Sequence, residues 1–241
     1  MTIILCLAAV VFGYLLGSVP TGFLVGRARG VDLRSVGSGN IGATNALRVL
    51  GKKAGAMVLI LDAAKGALAC WGLPRLAAVV GPTAGSDQNL LSVLAGAGAI
   101  LGHNYTCWLK FKGGKGVATS AGVLAVITPV ALLLATAVWV IVFVVGRYVS
   151  LASISAALAL PFLVWLTKGN SFLTAFAVLM AAVVIYAHRS NIKRLVNGTE
   201  HRFGRNKALD AAEEPLRGTD TTETTEFQRR QTGGVARTLE H

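Results

Sequence analysis

Long apolar blocks separated by short, polar and often basic loops set the pattern of this chain. A helix that crosses a bilayer needs roughly 20 mainly apolar residues. Blocks of that kind occur at about 2–24, 53–73, 88–106, 150–167 and 170–187. Between 118 and 145 the apolar run is 28 residues long, which fits one long helix or two short ones. The first block has no basic start and no small-residue cleavage pattern, so it reads as a retained membrane helix rather than a secretory signal.

The basic loops choose between one helix and two at 118–145. Lys and Arg collect on the cytoplasmic side of membrane proteins. If the loop 25–52, with Arg27, Arg29, Arg34, Arg48 and Lys52, is cytoplasmic, then 74–87 is outside and the loop of Lys110, Lys112 and Lys115 is inside again. A single crossing at 118–145 would then put Arg147 outside, and with it the later cluster His188, Arg189, Lys193 and Arg194. A break near Thr128–Pro129, where proline cannot donate a helical hydrogen bond, returns both groups to the inside. The expected fold is therefore an all-α integral membrane protein of seven transmembrane helices, amino terminus outside and carboxy terminus cytoplasmic, with two short helices that tilt or are partly buried.

Composition agrees with this class and removes others. Of 241 residues, 54% are hydrophobic and 14% charged, and the mean hydropathy is +0.61, which excludes a disordered chain and a soluble nucleic-acid-binding domain. Three cysteines, Cys6, Cys70 and Cys107, without metal-ligand spacing, read as filling in apolar helices; no metal and no cofactor is expected. The net charge of +12 is placed unevenly: residues 1–199 hold 16 Lys and Arg against Asp32, Asp62 and Asp87, and residues 200–241 hold seven bases against eight acids. The membrane domain is thus read as 1–204. The segment 205–241, with runs such as Thr221-Thr222-Glu223-Thr224-Thr225-Glu226, is read as a polar, disordered cytoplasmic tail.

Four polar stations fall on the cytoplasmic face. The first is Gly37-Ser38-Gly39-Asn40-Ile41-Gly42-Ala43-Thr44-Asn45, with Arg48 a turn later. It matches a dinucleotide fingerprint literally, but that motif needs a preceding strand, and here a membrane helix precedes. Glycines let successive backbone N–H groups point at one anion, and Ser38, Thr44 and Asn45 add donors, so a phosphate cradle competes with a tight interhelical turn of small residues. The second station is Gly102-His103-Asn104-Tyr105 and Lys112-Gly113-Gly114-Lys115-Gly116, a double glycine between two lysines at a helix start. Lys115 offers a point charge to an anion, or the lysines only mark the inner face; His103 at a helix end reads as structural.

The third station, Arg147-Tyr148-Val149-Ser150-Leu151-Ala152-Ser153, has a snorkelling arginine and serines that bond their own helix as its plain reading, although Ser150 and Ser153 share a face. In the fourth, His188, Asn191 and Arg194 fall along one face of a helix leaving the membrane, followed by Glu200. Two glycine-rich segments with three or four cations and few carboxylates suit two phosphates rather than one. Asp62 and Lys65, one turn apart, neutralise each other within the framework. No His-x4-Asp signature, nucleophile elbow or metal set is present, so chemistry here depends on positioning and charge neutralisation of an already activated substrate.

The strings GSGNIGATNALRVLGKKAG (37–55), GHNYTCWLKFKGGKGVAT (102–119), RYVSLASI (147–154) and HRSNIKRLVNGTE (188–200) resemble, in order, the signatures of the bacterial acyl-phosphate:glycerol-3-phosphate acyltransferase family, PlsY. The resemblance covers about residues 1–204, and Tyr105 stands where the family more often has Phe. It implies a multi-pass enzyme of the bacterial inner membrane, monomeric, with its site on the cytoplasmic face. The implied reaction makes lysophosphatidic acid and inorganic phosphate from acyl phosphate and glycerol 3-phosphate, with no carrier protein, CoA or nucleic acid as partner. It further implies that Ser38, Gly39, Asn40, Gly42, Thr44, Asn45 and Arg48 hold the acyl phosphate. Lys115, Ser153, His188 and Asn191 would hold glycerol 3-phosphate; Lys115, His188 and Arg48 would be catalytic; His103, Arg147, Ser150, Arg194 and Glu200 would support the site. Two mechanisms stay open: proton transfer to the departing phosphate itself, or His188 as general base. The alternative to an enzyme is a transporter of a phosphorylated metabolite.

Overall fold

In the computed structural model the described residues are 2–80 and 85–204, and all of their regular structure is helical. The chain divides into two units, Met1–His201 and Arg202–His241; of the second, only Arg202–Gly204 is described, ending in a turn. The tail expected at 205–241 lies outside the described residues.

The first apolar block is interrupted. It forms α1 (Thr2–Ser18) and a short α2 (Thr21–Arg27), where a single continuous helix over 2–24 was expected. Pro20 is the cause, because it has no N–H to give and its ring crowds the carbonyl one turn back. The carbonyls freed at the break are satisfied by buried side chains. Lys65 Nζ donates to Val19 O at 2.9 Å, Thr106 Oγ1 donates to Ser18 O at 2.5 Å, and Thr21 Oγ1 donates to Asp62 Oδ1 at 2.5 Å. Lys65 also pairs with Asp62 at 2.9 Å, both buried. The two charges therefore neutralise each other, as their spacing suggested, and they also pin the break.

Small residues position the remaining helices. α4 (Lys52–Val80) and α5 (Gly85–Asn104) lie beside α1. A Cβ on Gly13 or Gly17 would overlap the carbonyls of Ala95 and Ala99, and one on Gly98 or Gly102 would overlap those of Val10 and Tyr14. The two backbones are thus as close as helices come, which is how helices associate where lipid removes the hydrophobic drive between them. α6 (Val117–Ile127) lies against α4 in the same manner, through Gly66 on Thr119 and Gly122 on Ala63.

The 28-residue apolar run is divided at Thr128. α6 ends at Ile127 and α7 runs from Pro129 to Gly146, with proline at the first helical position, where its missing N–H costs nothing. α7 packs on α8 (Val149–Lys168), and α8 on α9 (Ser171–Ala187). Cys70, Val93, Val123, Leu160, Val164, Phe176 and Met180 form one core joining α4, α5, α6, α8 and α9. Two short helices, α3 (Ala43–Leu50) and α10 (Arg189–Val196), carry the end of the first polar station and most of the fourth.

Among the described residues, four stretches are long and apolar enough to cross a membrane: Ile3–Arg27, Lys52–Leu76, Pro129–Gly146 and Val149–Lys168. α9 with α10, bent by 59°, would make a fifth. Leu133, Ile141, Val144, Leu158 and Phe162 are exposed, far more apolar surface than a water-soluble protein carries, and a bilayer is the solvent that suits it.

Candidate active site

The loop before α3 is held by its own side chains. Asn45 Nδ2 donates to Leu33 O at 3.0 Å and Val36 O at 3.1 Å, while its Oδ1 accepts the Ser38 N–H at 2.9 Å. Asn40 Oδ1 accepts the Gly42 N–H at 2.8 Å, and Gly39 N–H reaches Val36 O at 3.1 Å. Gly37 sits at φ 62° with its open side against Asn45 Oδ1, so no Cβ fits there.

Two expectations change here. The N–H groups of Ser38, Gly39 and Gly42 close the loop on itself and do not converge on an anion. Asn45, buried with both amide hydrogens in use, holds the loop and has no donor left for a phosphate. The N–H groups of Ala43 and Thr44, which open α3, precede its first donor, Asn45 N–H, which bonds Gly42 O at 3.1 Å. Arg48 follows one turn on, half-buried. Burial works against its charge, Glu200 supports it, and Arg194 opposes it.

The double glycine follows the same rule. Gly113 N–H and Gly114 N–H donate to the carbonyls of Asn104 and His103, each at 3.0 Å, and a Cβ on either glycine would overlap His103. The glycines therefore seat this loop on the end of α5; their N–H groups are not an anion cradle. His103 Nδ1 stands 3.4 Å from Asp62 Oδ1, so the buried pair behind the site props the imidazole on which Gly114 rests. Lys115 is the group this loop delivers.

Glu200 ties the third and fourth stations together. Its Oε1 accepts from Ser150 Oγ at 2.8 Å and Asn191 Nδ2 at 2.7 Å, and its Oε2 accepts from Arg194 Nε at 2.7 Å. Asn191 Oδ1 in turn accepts from Lys115 Nζ. Lys115, Asn191, Glu200, Arg194 and Ser150 are one hydrogen-bonded unit. Burial acts to raise the Glu200 carboxyl, but the three donors outweigh it and hold the group below its ordinary value, hence ionised. Lys115 is pushed down to about 8, by burial first and then by Arg194 and Arg48, with Glu200 pulling the other way.

His188, the first residue beyond α9, is buried at the bend into α10. Its Nδ1 lies 2.8 Å from Val184 O, and a carbonyl only accepts, so Nδ1 carries the proton and Nε2 is left open. Burial and the nearby Lys115 ammonium lower its pKa to about 4, so the ring is neutral at physiological pH.

A cavity of about 310 Å³ joins three of the four stations. It is lined by Ser38, Gly39 and Asn40 from the first, by Asn104, Lys112, Gly114 and Lys115 from the second, and by Arg189, Ser190 and Arg194 from the fourth. Ser150 and Glu200 reach it only through Asn191 and Arg194. Ser153 is buried one turn deeper, where its Oγ donates to Val149 O at 2.8 Å and accepts from Trp139 Nε1 at 3.1 Å. That is the helix-bonded serine of the plain reading, and Trp139 had no sequence signal. Arg147, at φ 62° on the end of α7, is exposed and is not among the residues that line the cavity.

This cation-rich wall is built from stretches at 38–40, 104–115 and 187–194, and the chain that carries it is paralleled in known proteins. A family model described as glycerol-3-phosphate acyltransferase matches residues 7–198. The chain belongs to this family. A glycerol-3-phosphate acyltransferase of Geotalea daltonii is 46% identical over 196 residues, covering 81% of this chain and 96% of that one. The same enzyme of Aquifex aeolicus is 46% identical over 195 residues, covering 80% and 97%. A crystal structure of PlsY, described as an integral membrane glycerol 3-phosphate acyltransferase in its glycerol 3-phosphate form, superposes with a TM-score of 0.74 at 42% identity, covering 85% of this chain and 98% of its own. Its lysophosphatidic acid form gives 0.72 at 42% identity. Membership makes this chain an acyltransferase and an integral membrane protein, and the transporter reading is set aside.

Proposed function

We propose that this acyltransferase moves an acyl chain from an acyl phosphate to the 1-hydroxyl of glycerol 3-phosphate, releasing lysophosphatidic acid and inorganic phosphate. The observation that carries the proposal is the cavity lined by Lys112, Lys115, Arg189 and Arg194, with no carboxylate among the described residues of its wall. Such a wall suits two phosphorylated substrates. The glycerol 3-phosphate form and the lysophosphatidic acid form of PlsY support this choice of acceptor and product.

An acyl phosphate is a mixed anhydride, so the acyl carbon is already activated. The attacking hydroxyl oxygen forms a bond to that carbon, the carbon–oxygen bond to phosphate breaks, and the hydroxyl proton passes to the departing phosphate. The enzyme supplies proximity and charge stabilisation. In this reading Ser38, Asn40, the opening N–H groups of α3 at Ala43 and Thr44, and Arg48 face the acyl phosphate. Lys115 and Asn191 bind the acceptor phosphate with Arg194, and the open Nε2 of His188 meets a hydroxyl or a phosphate. Asn45, Gly42, His103, Ser150, Ser153 and Glu200 shape these positions from behind, and Arg147 marks the inner membrane face.

The topology belongs to the same proposal: seven crossings by α1 with α2, α4, α5, α6, α7, α8 and α9, the amino terminus outside, and the basic loops and site cytoplasmic, in a bacterial inner membrane. The catalytic unit is residues 1–204, followed by a polar cytoplasmic tail, and it acts as a monomer without CoA, carrier protein or cofactor. The test is a donor exchange. Purified protein given glycerol 3-phosphate makes lysophosphatidic acid from palmitoyl phosphate and none from palmitoyl-CoA or palmitoyl carrier protein; product from either thioester alone contradicts the proposal.

A further inference from the structure

Asn104 ends α5 beside the cavity and is 5% exposed. Its main-chain oxygen takes the Gly113 N–H, but neither Nδ2 nor Oδ1 of its side chain has a partner among the described residues. Buried carboxamides are almost always bonded, and one left open destabilises the fold. The cost is not relieved by the surroundings. Gly116 lies against the amide, and a Cβ there would stand 2.7 Å from Oδ1. Gly116 is held at φ 77°, so the chain adopts a conformation that leaves room for this amide rather than covering it.

Of the other buried groups here without a hydrogen bond, His103 Nδ1 faces Asp62 Oδ1 at 3.4 Å behind the site and the Thr119 and Ser120 hydroxyls lie within α6; none of the three residues lines the cavity. Asn45, Asn191, Glu200 and His188 each have named partners, and Asn104 sits among them as a polar group waiting for one. The described residues of the wall it belongs to include cations and no carboxylate. What enters such a wall is anionic oxygen, and an amide N–H is a donor suited to it.

We infer that Asn104 is a further substrate-binding residue, whose carboxamide donates to a phosphoryl oxygen of a bound substrate beside Lys115. This rests on the reaction proposed above. The phosphoryl group belongs either to the acyl donor or to the acceptor, and the two arms of the test separate them.

Asn104→Leu keeps the shape and removes the polar atoms. It raises the apparent KM for one of the two substrates about tenfold, the size of a single hydrogen bond to a charged group. A raised value for palmitoyl phosphate assigns the donor, and one for glycerol 3-phosphate assigns the acceptor. Because the open amide is a burden on the empty fold, the melting temperature of Asn104→Leu stays level or rises, which a purely structural role would not produce. Asn104→Ala gives the same KM change, and decides the question if the leucine variant folds poorly. Both KM values within twofold of wild type in a folded variant overturn the inference. Failure of the underlying reaction is distinguishable, since wild type would then release no phosphate at all.

Discussion

Replacing Glu200 by Gln isolates the charge that organises the site. The carboxylate accepts three hydrogen bonds at 2.7–2.8 Å, from Ser150, Asn191 and Arg194. A glutamine has one acceptor oxygen, and whichever way its amide turns, an NH2 group stands where a carboxylate oxygen stood. It then faces either Arg194 Nε or the Ser150 and Asn191 donors. At least one bond to a charged group is lost, about 1.5–3 kcal/mol. The effect reaches Lys115 directly. Asn191 offers Oδ1 to Lys115 only because Glu200 holds its Nδ2, so release of Nδ2 lets the amide turn its NH2 toward the ammonium. Catalytic efficiency for glycerol 3-phosphate therefore falls by roughly 10–150-fold. The assay is the initial rate of phosphate release from palmitoyl phosphate in detergent micelles over a range of acceptor concentrations. Because the Glu200 carboxyl is held below its ordinary value, its contribution is lost only as pH falls through the acidic range, and the deficit is constant between about pH 6 and 7.5. A Glu200→Gln enzyme within twofold of wild type would refute the view that Lys115 is positioned through Asn191 and Glu200.

Three further outcomes follow from the same contacts. Lys115 sits near 8 in the folded protein against an ordinary 10.5, so between those values the unfolded chain holds the extra proton. Activity accordingly falls as pH rises through about 8 while the Lys115 contribution to stability rises over the same interval, and Lys115→Arg moves the alkaline limb of the rate profile upward. His188→Gln keeps the maximal rate at saturating glycerol 3-phosphate and raises its apparent KM if the departing phosphate takes the proton; a large loss of kcat with unchanged KM makes His188 the general base. Gly17→Leu drives a side chain into the Ala99 carbonyl and separates α1 from α5, seen as loss of folded protein on size-exclusion chromatography in detergent, whereas Gly72→Leu, with nothing within 4 Å of its Cβ position, leaves the elution unchanged.

Much of this architecture is legible in the apolar pattern. The block lengths give the long helices, and Pro129 divides the run at 118–145 at the residue where the backbone does break. The same proline rule, applied to Pro20, would have divided the first block as well; there the run of apolar residues through Val25 masked the interruption. The polar stations were visible because charge is rare in this chain's apolar blocks, and the cavity draws from three of them. Which atoms do the binding was not visible. Glycine-rich loops suggest open N–H groups, yet Asn45, Asn40, Val36, His103 and Asn104 occupy those of Ser38, Gly42, Gly39, Gly114 and Gly113. Such pairings depend on how the chain folds back on itself, and side-chain identity alone does not fix them. Trp139 against Ser153 and the meeting of Glu200 with Ser150 need the packing of α7, α8 and α10, which no spacing encodes.

The central claim is that this cavity joins an acyl phosphate to glycerol 3-phosphate with Lys115 as an essential charge. Its most direct test measures phosphate and lysophosphatidic acid together from purified protein supplied with both substrates. The account predicts one phosphate released per lysophosphatidic acid formed, release that requires glycerol 3-phosphate, and loss of both products in Lys115→Ala. Phosphate release without glycerol 3-phosphate, or an undiminished rate in Lys115→Ala, would contradict it.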